Sequence, residues 1–157
     1  AARPWPAGLR PAAGLRPAAG LRPAGRLPAA GRLPADITRV LIYVYIIFFF
    51  GAGINHFLNP QFYDAIVPDF LPYPRLIHQF TGILEILIPL LFLTRFRKEA
   101  ALVMIVFLFL IYGANLYVWI NNLPYGNSYF TTQQHFLRFL LQLLYIYLTY
   151  VIYMYDN

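Results

Sequence analysis

Four long apolar runs, each about as long as a bilayer is thick, constrain this chain more than any other feature. Residues 37–57 are nearly all hydrophobic, and 75–93, 100–120 and 133–153 are predominantly so. At about 1.5 Å per residue, a helix over each run crosses a hydrocarbon core of about 30 Å. Composition points the same way: 60% of residues are hydrophobic and 11% charged, too little polar surface for a soluble domain of 157 residues. One such run would also suit a core helix of a soluble protein. Four in succession predict an all-α membrane protein, a four-transmembrane-helix antiparallel bundle over residues 36–157.

The connections give that bundle a direction. Pro60 to Pro74 holds four prolines, two aspartates and several aromatics, which suits a loop lying at the membrane interface. Arg95, Arg97, Lys98 and Glu99 make a short charged turn before the third span, and a polar loop precedes the fourth. Four spans put both termini on one side. The basic N-terminal tail, Arg39 and the charged turn then share that side, so a multi-pass protein of the cell (inner) membrane with both termini cytoplasmic is expected. Trp119, Tyr125 and Tyr129 fall at the opposite interface, while Tyr43, Tyr150, Tyr153 and Tyr155 fall at the cytoplasmic one, where amphipathic rings sit at headgroup level.

Residues 1–35 form a low-complexity tail in which GLRPAA recurs and then becomes RLPAAG, with proline every few positions. Such a segment sustains neither a helix nor a core and is expected to be a disordered arm. It is Arg-rich and acid-free like a transit peptide, but it lacks Ser and Thr and its prolines break the amphipathic helix such peptides form. Translated repeat sequence upstream of the true start is the other reading. The net charge of +6 does not imply nucleic acid, because about half the basic residues lie in this tail and the rest are scattered near span ends. With no cysteine in the chain, thiolate chemistry, iron–sulfur clusters and Cys-ligated zinc are excluded within it.

Ionisable groups inside a span are costly unless paired or facing a wet cavity, so each requires an account. Glu85 lies near the middle of the second span and shares a helix face with His78, Gly82 and Pro89. The fourth span carries His135, Arg138, Gln142, Thr149 and Tyr153 on one side. Asn115 stands late in the third span beside Gly113 and Ala114, which permit close helix approach; Asn55 and His56 follow Gly51 and Gly53 at the end of the first. Antiparallel connectivity brings His56, His78, Glu85, Asn115, His135, Arg138 and Gln142 into one half of the membrane, with Glu85 and Arg138 as the expected charge pair. Three readings of this cluster remain open: hydrogen-bonded glue between helices, a metal site, and a pocket for a small amphipathic ligand such as a quinone, with Glu85 or a histidine relaying protons. The metal reading is disfavoured because neither H-x-x-x-H nor H-x-x-E-H occurs.

The run GINHFLNPQFY followed by IVPDFLPYPRLIHQFTGILEILIPLLFL resembles the DoxX and DoxX-like membrane proteins. The matching positions are His56 and Phe57 at the end of the first span, Pro60, Pro68 and Pro72 in the loop, and Gly82 and Glu85 in a G-x-x-E. Asn115 matches an asparagine late in the third span, and HFLRFLLQ resembles an H-x-x-R-x-x-x-Q heading the fourth. Leu140, Leu141 and Ala114 depart from that pattern. The resemblance, over about residues 37–153, implies a bacterial-type inner-membrane four-helix bundle. Some members are linked to thiosulfate:quinone oxidoreduction, redox complexes or maturation of partner proteins. The resemblance does not imply one activity; the first expectation for this chain is a small subunit of a membrane redox system, with redox partner subunits and quinone as the candidate cofactor. The alternative is a non-enzymatic assembly or accessory protein whose cluster is structural. A solute transporter is less well supported, since no internal repeat is visible.

Overall fold

In a computed structural model, residues 33–126 and 128–155 are described. The expected disordered arm over 1–35 falls almost wholly outside them. The elements are α1 (Ala35–Leu58), α2 (Pro60–Asp64), α3 (Pro74–Leu90) with a 3-10 turn (Leu91–Leu93), α4 (Arg97–Ile120) and α5 (Thr132–Met154).

Local chemistry sets these boundaries. Pro34 precedes α1, and Asp36 in its first turn faces the positive end of the helix dipole. Pro60 and Pro74 open α2 and α3 at positions where a missing N–H costs nothing. Thr131 and Gln134 form a reciprocal capping box at the start of α5. Within α3, Pro89 has no N–H to offer the carbonyl of Glu85 one turn earlier, and the helix gives way to the 3-10 turn two residues on. Each observed span contains the apolar run expected for it and extends it by one to three residues, with Pro74–Leu93 counted as one span. The departure is in the loop: Pro60–Asp64 is a helix turn, because Asn59 followed by a proline is a helix start.

The four long helices pack antiparallel as two hairpins. α1 runs along α3 and α4 runs along α5, with far less contact between the two pairs. The α1–α3 crossing is fixed by glycine: a Cβ on Gly53 would lie 2.5 Å from the carbonyl oxygen of Gly82 and 2.6 Å from Ile86. Gly113, expected to allow close approach in α4, meets nothing within 4 Å and faces outward.

The interior differs between the two ends of the bundle. The end carrying the N-terminus of α1 and the C-terminus of α5 holds a buried hydrophobic core built on Ile42, Tyr45, Phe49, Phe92, Met104 and Ile152. There Tyr45 bonds Thr149 at 2.7 Å, joining α1 to α5, and Arg97 donates to the Tyr155 carbonyl at 2.7 Å while lying over its ring. The opposite, distal end opens into a cavity. Outside, large apolar side chains such as Ile47, Val106, Leu110 and Ile120 stay exposed along the helices, the surface a lipid-immersed bundle presents.

Candidate functional site

Between the two hairpins lies a cavity of about 570 Å³. Its walls are mostly apolar and aromatic: Phe48 and Phe49 from α1, Phe80 from α3, Phe107 and Ile111 from α4, and Tyr145 from α5. The turn of α2 and the following loop lie over its distal end through Phe62, Tyr63, Val67 and Leu71.

The polar residues divide between the walls. On the α1–α3 wall, the glycine crossing brings His56 against Glu85, with Nε2 and Oε2 3.4 Å apart and both side chains about nine-tenths buried. This is ion-pair distance without hydrogen-bond geometry, and Oε2 has no hydrogen-bond partner. His78, one face along α3, bonds Asp64 of α2 at 3.0 Å, and Arg75 forks onto the same carboxylate at 2.6–3.2 Å. The Arg75 guanidinium holds the Asp64 carboxyl below the usual carboxylate range, with His78 adding to the effect against some desolvation. The Tyr63 ring stacks on His56 at 3.7 Å, and its hydroxyl accepts from Asn55 at 2.9 Å. Burial pushes the Tyr63 phenol upward.

On the α4–α5 wall, Arg138 donates to Asn115 and lies over the rings of Tyr125 and Phe130 at 4.6 and 5.5 Å. Gln142 donates to the Leu108 carbonyl at 2.6 Å. Burial raises the Tyr125 phenol, although the Arg138 charge beside it acts in the opposite sense.

Six of the seven expected cluster residues, His56, His78, Glu85, Asn115, Arg138 and Gln142, line this cavity. His135 does not: it is buried behind the wall, its ring stacked on Trp119 at 5.3 Å and close to Tyr125 and Phe130. The expected Glu85–Arg138 charge pair is also not formed, since no ion pair joins them among the described residues. They belong to different hairpins with the cavity between, and each has a nearer partner on its own side. Sequence reasoning missed Asp64 and Tyr63, which the α2 turn carries to the site. The Asn-Pro pair opening that turn was the signal that could have found them.

Of the six buried side-chain polar atoms that lack a partner among the described residues, four lie on cavity residues: His56 Nδ1, His78 Nδ1, Glu85 Oε2 and Arg138 Nε. Unpaired polar atoms are costly to bury, and gathered here they favour a polar guest. Among the described residues, no three His, Asp or Glu side chains are placed to share a metal ion.

Fold and cavity together define the class: a multi-pass, four-helix integral membrane protein with a polar-headed cavity between two helical hairpins. The chain belongs to the family described as a domain of unknown function (DUF8561), which matches residues 45–153. Neither a curated protein nor a solved structure matches it.

Proposed function

We propose that this protein is DoxX-like and binds a quinone-like ligand in the cavity, as a small subunit of a membrane redox system. The observation that carries this reading is the pairing of apolar aromatic walls with unpartnered polar atoms at one end. Ligand pockets commonly combine such walls with a few convergent polar groups. A planar conjugated dione fits that division: its ring would lie among Phe49, Phe107 and Tyr145, and an oxygen would meet the polar end.

When bound, the quinone supplies the two-electron redox couple, and a partner redox subunit supplies or takes the electrons. The chain's own residues do the rest. Arg138, steadied by Asn115, offers its guanidinium to a ligand oxygen. Glu85 and His56 hold an exchangeable proton on the opposite wall. The aromatic walls keep bulk water from the ring. The charged turn at Arg95–Lys98 and Arg39 support an orientation with both termini cytoplasmic, which puts the polar head in the outer half of the membrane.

Purified protein in lipid nanodiscs, titrated with short-chain ubiquinone, tests this reading. Saturable binding at one quinone per chain, weakened by Arg138→Gln and by Glu85→Gln, is the expected result. A well-folded wild-type protein that takes up no quinone above lipid partitioning contradicts it. The accessory reading has its own support in Gln142–Leu108 and Tyr45–Thr149, polar bonds between helices that need no ligand.

A further inference from the structure

We infer that Asp64 and His78 form a proton route that joins the buried Glu85–His56 pair to the aqueous surface at the distal end of the bundle. The inference deepens the quinone reading, on which it rests only for the destination of the proton.

The route follows from placement. Glu85 is buried in the second span, where a carboxyl exchanges protons with bulk water slowly unless a chain of titratable groups leads out. Its nearest titratable neighbour is His56, 3.4 Å away. The His56 and His78 rings are 5.7 Å apart between centroids, both border the cavity, and each keeps its Nδ1 buried and unpartnered. The two nitrogens are closed off as the side chains stand, and a small rotation of either imidazole that admits one water between them would complete the step. Beyond it, His78 Nε2 meets Asp64 Oδ1 at 3.0 Å, and the Asp64 side chain is 31% exposed. Every group in this series can both accept and release a proton. The transfer is proton exchange alone, with no electron or leaving group involved.

Among the described residues around Glu85, α1 contributes His56 and Tyr45, α2 contributes Tyr63, and α5 contributes Tyr145 and Arg138, of which Arg138 holds its proton throughout. The cavity lining from α4 is apolar apart from Asn115. The Tyr63 hydroxyl is engaged by Asn55, so its ring acts as the wall that holds the two imidazoles side by side. Around His78, the charged neighbours are Asp64, Arg75 and His56. Arg75 keeps Asp64 ionised, so a proton that reaches it from His78 is held only transiently and passes on to water.

The chain has two glutamates, Glu85 and Glu99, so carbon-13 labelling of glutamate carboxyls gives two signals, and exposed Glu99 is an internal standard. Proton exchange at Glu85 is read from relaxation dispersion at the midpoint of its titration, in full-length protein in nanodiscs. Asp64→Asn and His78→Gln are expected to slow Glu85 exchange by at least about tenfold and leave Glu99 unchanged. Asp64→Glu is expected to restore it. Glu85 exchange at the wild-type rate in both folded variants overturns the route; so does slowing in Asp64→Asn that Asp64→Glu fails to rescue. The readout needs no ligand, so it is independent of the quinone titration. Slowed exchange in a protein that takes up no quinone keeps the route and removes the quinone reading, whereas quinone uptake with unchanged exchange does the reverse.

Discussion

His56 Nε2 stands 3.4 Å from Glu85 Oε2 inside the bundle, one helix turn from the point where α1 and α3 cross at Gly53 and Gly82. The two facts are one: a Cβ on Gly82 would lie 2.8 Å from the His56 Cβ, so only glycine lets the imidazole reach the carboxyl. The crossing thus sets both the stability of the first hairpin and the geometry of the acidic wall.

Gly53→Ala should therefore destabilise the protein by about 1–3 kcal/mol, because the added methyl meets the backbone of Gly82 as well as a side chain. Gly51→Ala, two residues away with open space around it, should be neutral or slightly stabilising. Thermal unfolding of both variants in the same detergent checks the contrast.

Arg138 and Asn115 should couple energetically, and Arg138 and Glu85 should couple less. In double-mutant cycles, Arg138→Gln with Asn115→Leu is expected to depart from additivity by about 0.5 kcal/mol or more. Arg138→Gln with Glu85→Gln should lie closer to additive, since the partner of each is on its own hairpin.

Acid should weaken the distal cap through Asp64. Its folded-state pKa is depressed below the ordinary value of 3.8, so the stability it adds is fully present above that value and is lost as pH falls through the folded pKa. The stability gap between wild type and Asp64→Asn should hold steady above about pH 5 and close below about pH 4. Melting curves across that range check it.

Tyr45→Phe should cost little, about 0.6 kcal/mol, the average for a side-chain hydrogen bond between membrane helices. Thr149 also donates to the Tyr145 carbonyl at 2.7 Å, so losing the Tyr45 hydroxyl leaves no orphaned donor. A loss of several kcal/mol on thermal or denaturant unfolding would contradict this.

The spans were legible because a run of about twenty apolar residues admits few other structures. Periodicity also put Glu85, His78 and Gly82 on one face of α3, and all three are buried. What the sequence did not reveal was partnership. Glu85 and Arg138 are of opposite charge and similar depth, but depth along a helix says nothing of which hairpin wall a residue occupies. His135 has the right depth and the wrong azimuth, and it packs on Trp119 instead. Asp64 was hidden because an aspartate among prolines reads as a solvated loop residue, and a five-residue helix leaves almost no periodic signal.

Photolabelling with an azido-substituted short-chain ubiquinone, mapped by peptide mass spectrometry, tests the central claim most directly. Labels are predicted on cavity residues of α1, α3 and α4, within 48–56, 77–85 and 107–115, and should be competed away by excess unlabelled ubiquinone. Labelling confined to lipid-facing positions such as Val106 and Ile120, and insensitive to competitor, would contradict a quinone site between the hairpins.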